Sequence, residues 1–424
     1  MPIALIRPVT VEIVNTGTEL LLGNVLNTHQ QWLSRRLFEA GYRVARQVCV
    51  PDTGEAIQGA IKESLERADV VICTGGLGPT SDDITRDLVA QLLGRKLVMD
   101  EQVRAEIRNF FSKRNRPQPA QTEVQALVPE GARVLPNAVG TAPGLAMEVA
   151  AGQFRGVKSW LFMLPGPPRE LHPMFSEYVL PMIRSVLPLE ERLACRTLRT
   201  SGIGESMVEE RIAGPLDDLM RRGLELGYCA RTGEVDVRFV GRAAKVSEAE
   251  QIVRKILGNY VFGIDDQRIE EVIVTLLTER KQTLAIAESC TGGLISHRIT
   301  NVPGASAVLL AGMVTYSNEA KQKLLGVSAS SLKEHGAVSE AVALEMARGA
   351  RTAAGADYGV SVTGIAGPSG GTAEKPVGTV FIGLASGERA LVKKMFNPYD
   401  RETFKHVTSQ QALDLLRRFV LKDA

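Results

Sequence analysis

The sequence predicts an α/β protein in which two doubly wound α/β domains are joined by a small α+β module. Strand-like and helix-like segments alternate near both ends of the chain, which is typical of parallel sheets covered by helices on both faces. The middle of the chain instead shows a hairpin-like pair of strands between two helical patterns. The length of 424 residues also favours about three domains, at roughly 150 residues each.

We place the domains at residues 1–175, 176–265 and 266–424. Hydrophobic residues make up 44% of the chain and charged residues 23%, which is ordinary globular composition and excludes a mainly disordered chain. The 50 basic and 48 acidic residues leave a formal net charge of +2. No overall field therefore draws the protein onto nucleic acid or a membrane.

Cysteine spacing and the first residues indicate where the protein functions. The five cysteines are scattered without a C-x-x-C pair, so neither a disulfide framework nor a zinc site is predicted. Residues 1–7 lack a basic leader and a long apolar core, and no apolar run approaches the ~18 residues that span a bilayer. We expect a cytoplasmic protein that does not contact membranes.

The first domain alternates strands and helices up to a glycine-rich loop. Its predicted elements are a strand at 9–15, a helix with apolar positions up to Phe38, a strand at 43–50, a helix at 55–67 and a strand at 70–73. The loop at 74–80 follows the last of these strands. Ligands of doubly wound folds bind at the carboxyl ends of the strands, so this loop is the first candidate site.

Glycines in this loop would let a ligand approach the backbone, and the following helix start offers amides to phosphate. The candidates for binding a phosphate or nucleotide here are Gly75, Gly76, Gly78 and Thr80. Asp82 and Asp83 would repel a bare phosphate. Either a divalent cation bridges them to it, or they cap the helix, where aspartate is favoured.

The middle module combines strands and helices in a different order. Its predicted elements are a strand at 193–200, a loop at 201–205, a helix through Val208 and Ile212, strands at 224–229 and 235–241, and a helix at 247–257. Asp265 and Asp266 are interpreted as part of a linker.

Alternation returns in the last domain. The predicted strands lie at 283–287, 307–315, 358–363, 378–385 and 391–396, and the predicted helices at 270–280, 317–325, 339–353 and 402–419. A further helix opens after Gly293, and the helix at 402–419 is expected to be amphipathic.

Ser289 is the candidate nucleophile of this domain. It lies where a strand ends and a glycine-supported helix begins, so backbone amides could hold an oxyanion beside its hydroxyl. Alternatively, Ser289 or Thr291 caps the helix. Cys290 is a rival nucleophile, because thiols are intrinsically more nucleophilic.

A serine nucleophile needs a base, and the sequence offers a lysine more readily than a histidine. His297 lies inside a helix and His335 in a loop of unknown orientation. Lys321 follows Tyr316 by about one helical turn, and partial loss of water would lower its pKa enough for it to accept a proton. Alternatively, Lys321 is a solvated surface residue.

Five motifs in this domain strongly resemble the CinA carboxy-terminal family. They lie at residues 287–293 (A-E-S-C-T-G-G), 316–321 (Y-S-N-E-A-K), 335–340 (H-G-A-V-S-E), 364–368 (G-I-A-G-P) and 375–380 (K-P-V-G-T-V). Members of that family are known as nicotinamide mononucleotide deamidases, which hydrolyse the carboxamide to nicotinic acid mononucleotide and ammonia.

The resemblance implies roles for individual residues. Ser289 would be the nucleophile, assisted by Tyr316 and Lys321, and no cofactor is implied for this site. Thr363 and Arg401 would line the nucleotide site, where a guanidinium suits a phosphate because it donates two parallel hydrogen bonds. The other substrate-binding candidates are Cys290, Thr291, Gly292 and Gly364.

The first domain resembles the molybdopterin-binding-like domain of CinA at residues 17–23 (G-T-E-L-L-L-G) and 165–170 (P-G-P-P-R-E). This adds Thr18 and Glu19 to the nucleotide-binding candidates. Related domains include metal-dependent ADP-ribose pyrophosphatases, so the resemblance implies Mg²⁺ or a similar ion near Asp82 and Asp83. Residues 27–29 (N-T-H) depart from the family, which usually has asparagine after the threonine.

The middle module resembles a KH-like fold. Its sequence at 202–204 (G-I-G) is not the G-x-x-G loop that clamps nucleic-acid backbone, and its basic residues are interspersed with acidic ones. We favour a spacer or dimer element over a nucleic-acid-binding role.

The whole chain thus resembles a full-length CinA-type protein. The resemblance implies a homodimeric enzyme of pyridine-nucleotide recycling that acts on nicotinamide mononucleotide and ADP-ribose. One alternative is a molybdopterin-binding or cofactor-assembly protein. Another is a competence-associated nucleic-acid-binding protein, which the near-zero net charge disfavours.

Overall fold

The computed structural model describes residues 9–189 and 193–422, so the predicted lack of a leader at residues 1–7 lies outside the described residues. The chain divides into two compact units, Met1–Leu193 and Ala194–Ala424. Within the described ranges, no helix is long and apolar enough to cross a membrane. All five cysteines are described, and none of them forms a disulfide.

The first unit contains a six-stranded sheet and a separate two-stranded sheet. Its described strands are β1 (Thr10–Thr16), β2 (Arg43–Val50), β3 (Val70–Thr74), β4 (Leu97–Met99), β5 (Leu127–Pro129), β6 (Arg133–Leu135), β7 (Gly144–Val149) and β8 (Ser159–Leu164). Its described helices are α1 (Thr18–Leu21), α2 (Thr28–Glu39), α3 (Gly54–Leu65), α4 (Thr85–Leu92), α5 (Glu101–Ser112), α6 (Pro168–Met174) and α7 (Leu180–Val186), with a 3₁₀ helix at Ala120–Ala126 and a π-helical turn at Phe175–Val179.

The strand order of the large sheet is β2-β1-β3-β8-β7-β6. The first four strands in this order are parallel to one another. Strand β7 runs antiparallel to β8, and β6 runs antiparallel to β7. The sheet is therefore mixed rather than purely parallel, as the alternation alone suggested. The connections at residues 136–143 and 150–158 are shorter than the dozen or so residues that a parallel crossover needs, so these strands turn back on themselves.

Helices cover both faces of this sheet, which confirms the doubly wound fold. On β3, Val70 and Ile72 pack with α2, α6 and α7. The alternate residues Val71 and Cys73 pack with α3 and α4 on the opposite face. Successive side chains of a strand point to opposite faces of the sheet, so β3 is buried on both faces. The glycine-rich loop follows the carboxyl end of β3.

The second unit begins with the small α+β module. Its strands are β9 (Ala194–Ser201), β10 (Glu225–Arg231), β11 (Glu234–Gly241) and β12 (Val261–Ile264), and its helices are α8 (Glu205–Arg221) and α9 (Ala243–Leu257). All pairings in the order β10-β11-β9-β12 are antiparallel. Both helices contribute to one hydrophobic core with the sheet. The sequence reading did not separate β12 from the linker.

The second unit ends with a five-stranded sheet. Its strands are β13 (Leu284–Glu288), β14 (Leu309–Val314), β15 (Tyr358–Gly364), β16 (Thr379–Ala385) and β17 (Ala390–Phe396). Its helices are α10 (Ile269–Arg280), α11 (Leu294–Thr300), α12 (Asn318–Leu325), α13 (Ala329–His335), α14 (Glu340–Ala354) and α15 (Arg401–Lys422). His335 thus ends a short helix instead of lying in a loop.

This sheet is also doubly wound and mixed. The strand order is β14-β13-β15-β16-β17, and its first three strands are parallel to one another. Strand β16 runs antiparallel to β15, and β17 runs antiparallel to β16. On β13, Leu284 and Ile286 pack with α10, α11 and α15, whereas Ala285 and Ala287 pack with α12 and α14. The carboxyl ends of β13 and β15 lie side by side at the edge that carries Ser289.

Helix α15 is not the amphipathic surface helix that its pattern suggests. Buried residues lie on most of its faces, from Phe404 to Val420, and include polar Gln410 and Asp414. One part packs in the core of the last sheet. At the other end, Arg417 donates to the carbonyls of Asn259 and Val261 and pairs with Asp414 at 2.8 Å. The two carbonyls belong to the α+β module, whereas Asp414 pairs with Arg417 and Arg418 within α15 and Gln410 accepts from Arg298 of α11 at 2.6 Å.

The loop that precedes α8 is contacted by the same helix. Arg418 Nη2 donates to the carbonyl of Ser201 at 2.7 Å, and its guanidinium approaches Gly202. Arginines of the module are also paired, with Arg199 bound to Asp236 at 2.7 Å and Arg222 to Asp218 at 2.9 Å. The spacer interpretation of this module stays a prediction.

Gly349 allows α14 to approach α12, the helix that carries Lys321. A Cβ at Gly349 would lie 1.9 Å from the carbonyl oxygen of Leu325, so a side chain would force the helices apart. We expect Gly349→Ala to destabilise the second unit by about 1–3 kcal/mol, the cost of overpacking. Hydrogen exchange of the β13 and β15 amides measures this loss.

Gly59 on α3 provides the matched control, because nothing lies within 4 Å of a Cβ built there. Gly59→Ala is expected to stabilise the first unit by about 0.5–1 kcal/mol, since alanine is the better helix former. Equal effects of the two substitutions would contradict the close approach at Gly349.

Candidate functional site

The turn after β13 places Ser289 at the carboxyl edge of the last sheet. Its amide donates to the carbonyl of Val362 at 3.0 Å on the neighbouring strand β15. Gly292 and Gly293 follow with φ of 63° and 94°, values that glycine adopts without strain. The chain therefore reverses sharply before α11 begins, and the Ser289 side chain stays half-buried at the strand ends.

Glu288 holds this turn against α11. Its fully buried carboxylate accepts hydrogen bonds from the amides of Ile295 at 3.0 Å and Ser296 at 2.8 Å, and from the Ser296 hydroxyl at 2.7 Å. A carboxylate is stabilised at a helix amino terminus. The alternative that Ser289 or Thr291 caps the helix is therefore wrong. Sequence analysis missed this role, although Glu288 stands in the A-E-S-C-T-G-G motif.

Lys321 is buried beside Ser289, with only 1% of its surface exposed. Its Nζ lies 3.2 Å from Ser289 Oγ, 2.8 Å from the carbonyl oxygen of Thr315 and 3.3 Å from that of Tyr316. The alternative of a solvated surface lysine is wrong. Burial lowers the pKa of Lys321, because loss of water disfavours the ammonium.

The three partners of Lys321 can accept the three N–H groups of its ammonium, and the same positions suit the neutral amine. A neutral amine has two N–H donors and one lone pair, and the two carbonyls can only accept. The lone pair is then left for the Ser289 hydroxyl, which can donate its proton to it. This is the geometry that a general base requires.

Cys290 is a poor competitor for the role of nucleophile. Only 6% of its surface is exposed, and it belongs to the hydrophobic core of the domain. Burial raises the pKa of its thiol to about 12, so the reactive thiolate is scarce at neutral pH. The geometry therefore favours Ser289.

Main-chain donors surround the turn. Within the described residues, the amides of Cys290, Thr291 and Gly293 donate to no carbonyl. Such amides can stabilise an oxyanion that develops beside the nucleophile. Thr315 lies beside the turn, because its amide donates to the Glu288 carbonyl at 2.8 Å. Among the described residues, the buried hydroxyls of Thr291 and Thr315 have no hydrogen-bond partner.

Tyr316 and Arg401 meet at the rim of the site. Arg401, the first residue of α15, donates from Nη2 to the Tyr316 hydroxyl at 3.0 Å and from Nη1 to the Gly367 carbonyl at 2.9 Å. The Tyr316 side chain is 63% exposed. Tyr316 therefore contacts Lys321 through its carbonyl, not through its phenol.

Thr363 and Gly364 shape the neighbouring strand end. The buried Thr363 hydroxyl donates to the carbonyl of Ala337 at 2.7 Å, which ties the motif at 335–340 to β15. A Cβ at Gly364 would lie 2.8 Å from the carbonyl oxygen of Thr379, so this position needs glycine. Sequence analysis also missed Lys405, whose Nζ lies 3.6 Å from a Cβ built on Gly292.

The first unit has a 380 Å³ cavity at its strand ends. Six of the predicted residues line it: Glu19, Gly75, Gly76, Gly78, Asp82 and Asp83. Thr18 and Thr80 do not. Thr18 donates its amide to Asp52 at 2.8 Å, and the Thr80 amide donates to Asp83 at 2.9 Å. These two threonines fix the loops around the cavity.

Asp82 and Asp83 do not cap α4, which begins at Thr85 without a side-chain cap. Within the described ranges, no group of three or more His, Cys, Asp or Glu side chains could hold a metal ion. Mg²⁺ often binds through one or two carboxylates, with water and substrate phosphates completing its shell. Asp82 and Asp83 fit that kind of site.

Other residues of the cavity were not predicted. Asp52, Gln125 and Glu170 line it, and of these only Glu170 stands in a motif that drew attention. His29, at the departure from the family pattern, contacts the Gly166 carbonyl through Nε2, and burial lowers its pKa. It therefore supports the loop at 165–170.

Comparisons with known proteins cover all three parts of the chain. Family models match at residues 12–185 ("Probable molybdopterin binding domain"), 195–263 ("Damage-inducible protein CinA KH domain") and 266–420 ("CinA C-terminal domain"). A CinA-like protein from Akkermansia muciniphila is 46% identical over 408 residues, which is 96% of each chain.

Solved structures of related proteins also match part of the chain. The competence/damage inducible protein CihA from Agrobacterium tumefaciens is 41% identical and covers 35% of this chain and 92% of its own, with a TM-score of 0.35. CinA from Thermoplasma acidophilum, described as of unknown function, is 31% identical and covers 41% and 98%, with a TM-score of 0.36. The full-length relative and the three family models show that the chain belongs to the CinA family.

Proposed function

We propose that the carboxy-terminal site hydrolyses the carboxamide of nicotinamide mononucleotide to nicotinic acid mononucleotide and ammonia. The observation that carries this proposal is the buried Lys321 amine, 3.2 Å from the Ser289 hydroxyl. A pure binding site needs no base beside a serine at a strand end. The substrate follows from the resemblance of the surrounding motifs to the deamidase family.

The reaction is acyl transfer in two halves. Lys321 takes the Ser289 proton while Oγ attacks the amide carbon, and the free amides of the turn hold the oxyanion. The Lys321 ammonium then gives its proton to the amide nitrogen, which leaves as ammonia. Water next attacks the acyl-enzyme, its proton passes through Lys321 back to Ser289 Oγ, and the acid is released.

Ser289→Ala should lower kcat for ammonia release from nicotinamide mononucleotide by roughly 10³-fold or more, because the covalent step loses its nucleophile. Cys290→Ser is the matched control and should keep activity within about tenfold. Loss of activity in Cys290→Ser together with retention in Ser289→Ala would assign the nucleophile to the thiol.

Activity should rise with pH as Lys321 loses its proton. Because burial lowers its pKa, we expect the rise in kcat/KM to be centred below the ordinary lysine value of 10.5. Lys321→Met should remove the activity, whereas Lys323→Met, on an exposed position of the same helix, should leave the profile unchanged. A profile that is identical in Lys321→Met would refute the lysine base.

We further propose that the amino-terminal site cleaves ADP-ribose to AMP and ribose 5-phosphate. The strand-end cavity with Asp82 and Asp83 supports this second activity. A divalent cation held by these carboxylates would neutralise charge on the leaving phosphate oxygens. The cation would be shared with the substrate, because the described residues offer no group of three or more such ligands.

We expect AMP to form from ADP-ribose in the presence of Mg²⁺, and Asp83→Asn to lower the rate at least tenfold. Chromatography of the products measures both. Asp87→Asn, an exposed carboxylate on α4 outside the cavity, is the control. Intact ADP-ribose after incubation with Mg²⁺, Mn²⁺ and Co²⁺ would remove this activity from the proposal.

A further inference from the structure

Two cations of helix α15 lie at the rim of the serine site. Arg401 and Lys405 stand four residues apart, so their side chains lie on the same face of the helix. Arg401 uses one donor of Nη2 for the Tyr316 hydroxyl and one of Nη1 for the Gly367 carbonyl, which leaves its other N–H groups available. Within the described residues, neither Arg401 nor Lys405 forms an ion pair. The rim therefore carries positive charge that no carboxylate neutralises.

Lys405 lies beside the turn that carries the nucleophile. Its Nζ lies 3.6 Å from a Cβ built on Gly292, and the Gly292 amide donates to the Ser289 carbonyl at 3.1 Å. The Lys405 side chain is half-buried, whereas its neighbour His406 is exposed. In the part of the chain that the structure describes, the Lys405 ammonium has no hydrogen-bond partner. Its three N–H donors are therefore available to an anion in the site.

The amides at the amino terminus of α15 are not free to hold that anion. The Asp400 carboxylate accepts hydrogen bonds from the amides of Glu402 and Thr403, both at 3.0 Å. It thereby occupies the position that an anion takes at a helix amino terminus. An anion at this end of α15 must therefore bind to the side chains of Arg401 and Lys405.

The side chain of Tyr316 separates Arg401 from the reacting atoms. The Tyr316 carbonyl oxygen lies 3.3 Å from Lys321 Nζ, and the Tyr316 hydroxyl, at the other end of the residue, accepts from Arg401. In a pyridine mononucleotide, a ribose likewise separates the ring that bears the carboxamide from the phosphate. A nucleotide whose carboxamide lies at Ser289 can therefore extend its phosphate to α15.

We propose that Lys405 is a substrate-binding residue, which holds the 5′-phosphate of nicotinamide mononucleotide together with Arg401 and restricts the site to phosphorylated substrates. The pyridinium ring of this substrate is a cation, so the two basic side chains repel the ring and attract the phosphate. Their charges thus orient the substrate with its carboxamide towards Ser289. This inference rests on the proposed deamidation and names the residue that selects the nucleotide over the nucleoside.

Steady-state kinetics of ammonia release test this role. Lys405→Met should raise KM for nicotinamide mononucleotide roughly fivefold or more and keep kcat within about threefold, because the phosphate is bound equally in the ground state and the transition state. Lys405→Arg, which retains donors for a phosphate, should keep KM within about threefold of the wild type. Lys422→Met removes an exposed charge at the other end of α15 and should change neither constant.

Titration calorimetry of the full chain measures the same contact without turnover. Nicotinic acid mononucleotide, the product of the proposed reaction, should bind Lys405→Met roughly fivefold or more weakly than the wild type, since a charge-assisted hydrogen bond is lost. Nicotinic acid riboside, which lacks the phosphate, should bind both proteins equally. Equal binding of the riboside also shows that the variant keeps its fold.

The role of Lys405 is overturned if the wild type does not bind the product, or if Lys405→Met binds it like the wild type. It is also overturned if Lys405→Met weakens both ligands equally, or if it lowers kcat without raising KM. The last result would place the ammonium at the oxyanion instead of the phosphate.

The two measurements separate this inference from the proposed activity. A chain that shows the predicted affinities but releases no ammonia from nicotinamide mononucleotide contradicts only the activity. A chain that releases ammonia while Lys405→Met keeps the wild-type KM and affinities contradicts only the role of Lys405.

Discussion

The contact between the Lys321 amine and the Ser289 hydroxyl is the constraint on which the carboxy-terminal site depends. Burying a charged ammonium costs free energy. Packing and hydrogen bonds must therefore hold the lysine in its buried position. The carbonyls of Thr315 and Tyr316 fix its nitrogen, and Glu288 anchors the serine turn to α11. The close approach at Gly349 seats the helix that carries the lysine.

Helix α15 connects this site to the α+β module. Its first residue, Arg401, binds Tyr316 and Gly367 at the rim of the site. Near its other end, Arg417 and Arg418 bind the carbonyls of Asn259 and Ser201 in the module. Helix α15 thus connects the rim of the site to the α+β module.

The two units carry contrasting electrostatics under a net charge of only +2. In the first unit, carboxylates line the strand-end cavity. Lys113 and Arg114 line a second cavity, between α5 and residues 136–143. In the second unit, Lys321 is buried beside Ser289. Net charge describes long-range attraction, whereas these local arrangements set the electrostatics within each unit.

The sequence by itself determined the α/β class, most of the strands and helices, the edge on which Ser289 lies and the family. These features follow from periodicity, glycine placement and motifs, which are local. Only the tertiary structure decided that Lys321 is buried, that Glu288 caps α11, that β12 joins a sheet and that Thr18 and Thr80 lie outside the cavity. Those outcomes depend on contacts between segments far apart in the chain. Helix α15 shows the reason most clearly: its polar residues are typical of a solvated face, yet many of them are buried. Their partners lie on α11, in the α+β module and within α15 itself.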